Sequence, residues 1–403
     1  MIERKEYLNR LIGYRDKHVV KIITGIRRCG KSTLLVLFQQ YLMDSGVEPA
    51  NIITVNFEDY DNRSLCDPSA LHEYIKSRMA PNGKTYVFLD EIQHVPEFQR
   101  VVDSLYLRVN LDLYLTGSNA WLLSGDLATL LSGRYVEIEM LPLSFREYVS
   151  VVGEEGGLQR RYLEYLENSS FPGALDFDGS QKHILGYLQG VYDSVVLKDV
   201  VGRYKIPDVM MLESLARFTF DNIGSQLSAK SVSNAMNSDG RKIDVKTVER
   251  YLRALMDSYI IYQARRYNIK GKQYLRTLEK YYAIDIGMRG LLLGKRGADV
   301  GHMLENVIYL ELLRRGYQVY IGKVDELEVD FVAMDQAGRS YFQVAATVRE
   351  QAALERELAP LRKISDHYPK YILTLDEDPD ADYDGIRKIR ALDWLMNGAG
   401  PAF

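Results

Sequence analysis

Short apolar runs alternate with amphipathic segments over residues 18–140. The runs are rich in β-branched residues and read VVKIITGI, NIITVNF, YVFLD, LDLYLTGS and YVEIEM. Segments of helical pattern lie between them, such as KSTLLVLFQQYLMDS and PEFQRVVDSLYLRV. Strands that alternate with helices in this way predict a parallel sheet with helices on both faces. The fold class predicted for this part of the chain is therefore α/β.

The pattern changes to longer helical segments from about residue 155. Residues 225–280 then read as a helix, a turn, a second helix and a basic hairpin. Past about residue 295 come a helix, strands, another helix and a strand, which is typical of a small separate α/β domain. We therefore predict three domains with the bounds 1–155, 156–290 and 291–403. The acidic stretch DEDPDADYD at 376–384 is predicted to be a solvated loop.

Composition and charge narrow the class of protein only a little. The chain has 403 residues, 46% of them hydrophobic, and a formal net charge of −4, so no global basic field indicates nucleic acid. Two cysteines make no disulfide framework, which favours a reducing cytoplasmic location. No apolar run reaches the roughly 18 residues of a membrane span, and the charged N-terminus lacks the apolar core of a signal peptide. The histidines are scattered, without zinc-site spacing.

The strongest motif is GIRRCGKST at residues 25–33, directly after an apolar run and before a helical segment. It matches the phosphate-binding pattern G-x-x-x-x-G-K-[ST]. Two glycines let the backbone wrap a phosphate, Lys31 would reach the β- and γ-phosphates, and the Ser32 hydroxyl would bind Mg²⁺. The predicted cofactors are therefore ATP and Mg²⁺. The predicted nucleotide-binding residues are Gly25, Ile26, Arg27, Arg28, Cys29, Gly30, Lys31, Ser32 and Thr33.

Two carboxylates follow the apolar strand YVFLD, at the sheet edge where the phosphate loop is also expected. Asp90 would hold Mg²⁺ through water, and Glu91 would polarise the attacking water. The next strand ends in Thr116, Ser118 and Asn119. We predict that Asn119 holds the attacking water and senses the γ-phosphate, although a simple strand-ending turn explains the same residues.

Arg134 precedes the last strand of this region. An arginine there could stabilise the charge of the transition state, in which case it would act in a neighbouring subunit of a homo-oligomer. The alternative is an ordinary surface arginine.

These motifs, GIRRCGKSTLL, FLDEIQ, LTGSN, LSGR and LPLSFREY, resemble those of a bacterial and archaeal family of AAA-type P-loop ATPases with an uncharacterised C-terminal region. The similarity extends through YLRALMDSYII, LENVIYLELLRRG and EVDF and covers nearly the whole chain. The resemblance implies an ATPase core, a winged-helix segment and a C-terminal domain similar to restriction-endonuclease-like folds.

The middle of the chain is locally basic. Residues 241–280 contain eleven Lys or Arg against four Asp or Glu, so this segment carries +7 in a chain of −4. A helix–turn–helix followed by a basic hairpin suits duplex DNA, whose phosphates the hairpin cations would neutralise. A protein-binding winged helix with a solvated basic surface remains the alternative. The predicted DNA-binding residues are Lys246, Arg250, Arg265, Arg266, Lys270 and Lys272.

The stretch EVDFVAMDQAGRSYFQVAAT at 328–347 resembles the start of a metal-dependent nuclease site. Glu328 and Asp330 share a strand face, and Glu305 on the preceding helix could add a carboxylate. Gln343 stands where a third carboxylate belongs, and Ala345 where a lysine belongs. We therefore predict a nuclease-like fold that has lost the nuclease activity.

We expect an ATP-hydrolysing, Mg²⁺-dependent protein of the cytoplasm. The leading hypothesis is an oligomeric DNA-associated ATPase that remodels or moves along DNA, including branched DNA. The alternative is a nucleotide-dependent switch in signalling or defence that acts through a protein partner.

Overall fold

The computed structural model describes residues 2–81, 83–120, 131–294 and 300–397, except for the side chains of residues 275–277. The chain forms two compact units. The first consists of the residues up to Pro142 together with Asp257–Tyr259. The second consists of Leu143–Met256 and the residues from Ile260 onward. Within the described residues, no helix is both long and apolar enough to cross a membrane.

The first unit is a parallel α/β sheet. Its strands lie in the order β2-β3-β4-β1-β5, and every pair is parallel. The elements are α1 (Lys5–Tyr14), β1 (Val20–Thr24), α2 (Lys31–Asp44), β2 (Ile52–Asn56), α3 (Pro68–Arg78), β3 (Thr85–Asp90), α4 (Phe98–Tyr106), β4 (Leu111–Thr116) and β5 (Tyr135–Glu139).

The five strands confirm the alternating pattern that the sequence predicted. Strands β1, β3 and β4 are buried at every residue because central strands of a parallel sheet are covered on both faces. Their side chains pack with those of α3 and α4 into one core, which includes Val20, Val87, Leu113 and Leu71. In such a sheet the carboxyl ends of the strands share one edge, and this edge positions the candidate site.

The second unit begins with helices and continues into a mixed sheet. Its helices are α5 (Phe145–Val152), α6 (Leu158–Asn168), α7 (Gln181–Asp193), α8 (Val209–Asp221), α9 (Ala229–Ser238), α10 (Val245–Asp257), α11 (Ile286–Leu293), α12 (Val300–Arg314), α13 (Gln351–Arg362) and α14 (Ala391–Met396). A π-helical turn at Ser194–Gly202 extends α7. Its strands are β6 (Gln226–Leu227), β7 (Ile261–Asn268), β8 (Gln273–Ala283), β9 (Gln318–Val324), β10 (Leu327–Met334), β11 (Arg339–Ala345), β12 (Lys370–Thr374), β13 (Ala381–Tyr383) and β14 (Ile386–Arg390).

A single nine-stranded sheet runs through the second unit in the order β13-β14-β12-β11-β10-β9-β7-β8-β6. The basic hairpin β7–β8 is therefore joined to the C-terminal strands, because β7 pairs in parallel with β9 through Arg266, Tyr267 and Asn268. The first compact unit contains the residues up to Pro142 and Asp257–Tyr259, and one sheet joins strands of 156–290 to strands of 291–403. The three-part division remains a prediction.

The helix–turn–helix of the middle segment forms as the sequence predicts. Ser228 caps α9, since its hydroxyl accepts from the backbone N–H of Ser231 at 3.0 Å. Asp244 caps α10 in the same way, accepting from the N–H of Thr247 at 3.0 Å. Such caps satisfy amides that have no partner inside the helix.

The acidic stretch at 376–384 is only partly the solvated loop that was predicted. It contains the short strand β13, and its first residue, Asp376, is buried. The Asp376 carboxylate accepts hydrogen bonds from the Val348 N–H and the Thr374 hydroxyl, at 2.8 and 2.9 Å. These bonds offset the cost of burying the charge, which a pattern of charged residues does not reveal.

Candidate functional site

The phosphate loop joins β1 to α2, as the motif predicts. Gly25 has φ +136°, and a Cβ placed on it would lie 2.2 Å from the Met140 carbonyl oxygen. Gly30, the residue before α2, has φ +106°. Arg28, between them, also lies in the left-handed region at φ +67°. Only glycine fits the crowded, left-handed position 25, so the loop geometry depends on this residue.

The Lys31 side chain is buried inside its own loop. Its ammonium donates to the backbone carbonyls of Gly25 and Ile26 at 2.9 and 3.3 Å. The Glu91 carboxylate lies 3.5 Å away. The ammonium is therefore held at the centre of the loop, at the start of a helix whose first amides favour anions.

Arg4 supports the loop from a distant part of the sequence, and sequence reasoning missed it. It is buried, and its guanidinium donates to the carbonyls of Cys29 and Leu141 at 2.9 and 2.7 Å. Burial raises the pKa of the Cys29 thiol, with Lys31 opposing this only in part. Cys29 is therefore a neutral packing residue within the loop rather than a nucleophile.

Asp90 ends β3 and lies beside the phosphate loop. The Thr116 hydroxyl, at the end of β4, donates to the Asp90 carboxylate and accepts from the Glu91 N–H at 2.8 Å. Burial raises the pKa of Asp90, and hydrogen bonds from Thr116 and Ser32 oppose this rise. The contact between Ser32 and Asp90 brings together the two side chains that the sequence predicted as the Mg²⁺ site.

Glu91 is buried and has a left-handed backbone, with φ +55°. Gln93, which sequence reasoning did not single out, donates an amide hydrogen to the Glu91 carboxylate and contacts the Ser118 hydroxyl at 3.4 Å. Burial by itself would raise the pKa of Glu91, but Lys31, Gln93 and Arg27 outweigh it and hold the pKa below its ordinary value. Glu91 is therefore an ionised carboxylate at neutral pH.

Asn119 lies just beyond the end of β4, at the edge where β1 and β3 also end. Asn119 and Ser118 are both almost fully buried. Of the three polar residues at this tip, Thr116 makes the direct contact with Asp90.

Arg134 lies at the end of the sheet where the strands begin, opposite the end that carries the phosphate loop. It precedes β5, and its carbonyl accepts from the N–H of Val20 at the start of β1. The two ends of a five-residue strand are about 16 Å apart. The Arg134 guanidinium pairs with Asp103 at 2.7 Å and lies over the Tyr106 ring. It does not meet Lys31 or Glu91 of its own chain, so only an action on another subunit stays open as a prediction.

The residues around the phosphate loop fit MgATP. Position 25 excludes any side chain, Lys31 and the amides at the start of α2 suit phosphate oxygens, and Ser32 with Asp90 suits a hard cation. Among the described residues, no cluster of three or more His, Cys, Asp or Glu side chains could hold a metal. Mg²⁺ would therefore complete its coordination with phosphate oxygens and water.

The cations predicted to bind DNA occupy two places in the second unit. Lys246 and Arg250 are exposed on α10. Lys270 is exposed too, but it pairs with Asp325 at 2.7 Å. The remaining predicted cations lie on the hairpin: Arg265, Arg266 and Lys272.

The carboxylates of the nuclease-like region surround a lysine that sequence reasoning missed. The Lys280 ammonium, from β8, lies 2.9 Å from Glu305 and 2.7 Å from Glu328. Burial would lower the pKa of Lys280, but Glu305, Asp330 and Glu328 raise it above its ordinary value. A cation is therefore present in this cluster, although the expected lysine position holds Ala345.

Gln343 is committed to structural hydrogen bonds. Its amide oxygen accepts from the Asp330 N–H at 2.8 Å, and its amide nitrogen donates to Glu357 at 2.8 Å. Protein atoms surround the Asp330 carboxyl and raise its pKa well above the ordinary value, and Glu305 adds to this rise. Arg349 and Lys363 do not contribute a cation here, since Arg349 pairs with Asp378 and Lys363 lies near Asp325.

Comparison with known proteins agrees with the geometry of the first unit. Residues 17–149 match a family described as an AAA domain. Residues 159–299 match a family described as a domain of unknown function. A solved Walker-type ATPase of Pyrococcus abyssi superposes with a TM-score of 0.52, covering 72% of this chain and 96% of that chain at 16% identity. At this identity the likeness shows the fold alone.

Two curated relatives are described as uncharacterised proteins. One, from Haemophilus influenzae, is 38% identical over 400 residues, which are 98% of this chain and 99% of that protein. The other, from Methanocaldococcus jannaschii, is 28% identical over 362 residues, which are 85% of this chain and 78% of that protein. The chain therefore has an AAA-type P-loop ATPase domain, and over its whole length it belongs to the family of AAA-domain proteins represented by the Haemophilus influenzae relative.

Proposed function

We propose that the protein is a Mg²⁺-dependent ATPase whose reaction takes place at the phosphate loop. The observation that carries the proposal is the meeting of three groups at one sheet edge. Lys31 is centred in the loop, Asp90 contacts Ser32, and Glu91 is held ionised beside both. This set provides phosphate binding, a cation site and a base.

Each of these side chains has a distinct role in the proposed reaction. Lys31 leaves its loop carbonyls to bind the β- and γ-phosphates. Ser32 and Asp90 hold Mg²⁺, which neutralises phosphate charge when it is bound. Glu91 accepts a proton from the attacking water, and Asn119 positions that water. Gln93 and Thr116 hold the side chain and the backbone of Glu91 in place.

Two substitutions separate nucleotide binding from hydrolysis. We expect Lys31→Ala to abolish ATP binding, because the phosphates lose their cation. Glu91→Gln keeps the shape of the site but removes the base, so ATP binding should persist while turnover falls by roughly 10²-fold or more. The measurements are ATP affinity by calorimetry and phosphate release.

Glu97→Gln is the matched control, since Glu97 is exposed and pairs with Arg100 at the surface, 2.9 Å away. It should leave both quantities unchanged. Full turnover by Glu91→Gln would show that another group activates the water and would refute the assignment.

We further propose that the ATPase is an oligomer that associates with DNA in the cytoplasm. A winged-helix arrangement supports this, because β6, α9, α10, β7 and β8 follow in order and β6 pairs with β8 beside the hairpin. Exposed Lys246 and Arg250 on the second helix provide cations for phosphate contacts. Remodelling or movement along DNA is the activity that this combination suits.

DNA stimulation of the ATPase tests this part of the proposal. We expect linear or branched duplex DNA to raise the ATPase rate at low salt. The double variant Lys246→Ala, Arg250→Ala should lose the stimulation but keep the basal rate. Particle mass with and without ATP would report the assembly state. An ATPase rate that DNA does not change, together with an assembly state that depends on nucleotide, would instead favour a switch that acts through a protein partner.

The C-terminal part of the second unit is proposed to be nuclease-like without nuclease activity. Lys280 already neutralises the carboxylates that a metal ion would need, and both ends of the Gln343 amide are hydrogen-bonded. Purified protein should therefore not cleave DNA with Mg²⁺ or Mn²⁺. Cleavage that disappears in Asp330→Ala would refute this proposal.

A further inference from the structure

An open cavity of about 900 Å³ lies along the hairpin β7–β8 in the second unit. Two tyrosine rings, Tyr274 and Tyr320, contribute to its wall. Two cations, Arg265 and Lys272, and the amide side chains of Gln263 and Gln273 contribute as well. The wall therefore combines aromatic rings, positive charge and hydrogen-bonding amides in one place.

The aromatic part of the wall combines an exposed tyrosine ring with its contacts to two further tyrosine rings. Tyr274 is 62% exposed, although its ring lies 5.2 Å from Tyr320 and 5.5 Å from Tyr267 between ring centroids. Tyr267 is buried beneath them. A tyrosine ring has few rotatable bonds, so an exposed ring in contact with other rings offers an apolar face to a ligand at little cost in conformational entropy.

The charged part of the wall favours an anionic occupant. Arg265 and Lys272 are exposed, and the acidic wall residue Glu279 already accepts a hydrogen bond from Gln263. The Arg339 guanidinium lies 5.7 Å from the centroid of the Tyr267 ring, which belongs to the same tyrosine cluster. Among the wall residues that the structure describes, two cations therefore accompany one carboxylate, which already accepts a hydrogen bond.

We propose that this cavity binds single-stranded nucleic acid, with bases stacked on Tyr274 and Tyr320 and backbone phosphates paired with Arg265 and Lys272. Exposed aromatic rings beside cations are how proteins bind unpaired strands without reading their sequence. A duplex does not offer the faces of its internal bases, because these already stack on one another. The inference rests on the proposed DNA-associated function and names the class of nucleic acid that this site takes.

Binding of a fluorescently labelled oligothymidylate of about 12 nucleotides to the full-length protein tests the proposal. We expect tighter binding of this strand than of a duplex of equal length. Tyr274→Ala should weaken binding about 5- to 100-fold, since stacking of one base is worth about 1–3 kcal/mol. Tyr274→Trp should preserve it. Arg265→Ala with Lys272→Ala should weaken binding and reduce its salt dependence.

Tyr60→Ala is the matched control. Tyr60 is 72% exposed and lies beside Arg63, 4.5 Å from ring centroid to guanidinium, but it belongs to the first unit. It should bind the strand like the unchanged protein. Thermal unfolding of Tyr60→Ala should match that of the unchanged protein, and Tyr274→Ala should unfold only slightly earlier, because its ring is exposed but contacts Tyr267 and Tyr320.

Equal binding by Tyr274→Ala and the unchanged protein would overturn the inference, as would a preference for duplex or no binding of either. The outcome also separates the two proposals. Tyr274-dependent strand binding without DNA stimulation of the ATPase would support the binding surface and refute the DNA-coupled function. DNA stimulation of the ATPase together with equal strand binding by Tyr274→Ala and the unchanged protein would support the DNA-coupled function and refute the binding surface.

Discussion

At the residue scale, the candidate site depends on a position where only glycine fits the backbone conformation and the surrounding space. Gly25 combines a left-handed φ with a neighbouring carbonyl that would lie 2.2 Å from any Cβ. The first condition restricts most side chains and the second excludes all of them. A motif explains that a glycine is needed there, but the reason lies in the contact with Met140.

Gly25→Ala should therefore abolish ATP binding and destabilise the first unit by about 1–3 kcal/mol, because the loop must move away from Met140. Calorimetric ATP titration and thermal unfolding measure the two effects. Gly46→Ala provides the control, since Gly46 has φ +88° but a Cβ added to it would meet nothing within 4 Å. It should cost stability through backbone strain alone and leave ATP binding intact; equal behaviour of the two variants would contradict the steric explanation.

The ionisation of Asp330 should affect the stability of the protein. Its pKa is raised in the folded protein by surrounding protein atoms and by Glu305. A raised pKa contributes stability below the unfolded pKa of about 3.9, and this contribution is lost as the pH rises through the folded value. Relative to Asp330→Asn, the unchanged protein should therefore lose stability with rising pH, by up to about 1.4 kcal/mol for each unit of the shift.

Chemical unfolding at a series of pH values measures this difference. Glu326→Gln is the control, because Glu326 is 93% exposed and should leave the pH dependence unchanged. If Asp330→Asn were destabilising at every pH by the same amount, the cost of placing an amide group where the carboxyl accepts from the Val344 N–H, rather than ionisation, would explain the result.

At the element scale, β8 has two roles, one in the hairpin and one in a cluster of ion pairs. Both halves of this strand pair with β7 in the hairpin, and its second half also places Lys280 against the carboxylates of α12 and β10. The neighbouring Tyr282 donates to Glu305 at 2.6 Å. The strand therefore connects β7 to α12 and β10 through a buried ion cluster, and β7 connects it to β9 through the sheet.

Lys280→Met should destabilise the second unit strongly. Removing one partner of a buried ion pair leaves the other charges uncompensated, which costs about 3–5 kcal/mol. Lys270→Met is the matched control, because Lys270 pairs with Asp325 at the exposed surface and such pairs are worth about 0–1 kcal/mol. Urea unfolding of the two variants should differ clearly; similar small losses would show that water reaches the Lys280 cluster.

At the scale of the whole molecule, Arg134 lies where the strands of the sheet begin, and the phosphate loop lies where they end. An arginine in this place contributes to hydrolysis only if it reaches the nucleotide of another copy. The proposed oligomer would supply such a copy, so the role predicted for Arg134 depends on that assembly.

A mixing experiment tests action between subunits. Arg134→Ala and Lys31→Ala should each be nearly inactive as ATPases. Their mixture should recover activity, because a subunit with an intact phosphate loop would then receive Arg134 from its Lys31→Ala neighbour. Arg100→Ala, which removes an exposed arginine paired with Glu97, should be active by itself. A mixture that stays inactive would exclude Arg134 from hydrolysis in trans.

The parts that sequence reasoning predicted well share one physical property. The strands β1–β5, the phosphate loop and the two carboxylates after β3 follow from contiguous residues, whose hydrophobic period and backbone needs are local. The helix caps Ser228 and Asp244 were predictable for the same reason. The predicted solvated acidic loop was partly wrong because the burial of Asp376 depends on Val348, 28 residues away.

The sequence by itself determined that this protein has a phosphate-binding α/β domain, since each element of that site is encoded in a short stretch. Only the tertiary structure decided that Arg4 supports the loop, that Arg134 lies at the other end of the strands, and that Lys280 pairs with Glu305 and Glu328. It also decided that the hairpin belongs to the C-terminal sheet. These features are contacts between residues far apart in the chain, and strand register and packing, rather than local pattern, bring such residues together.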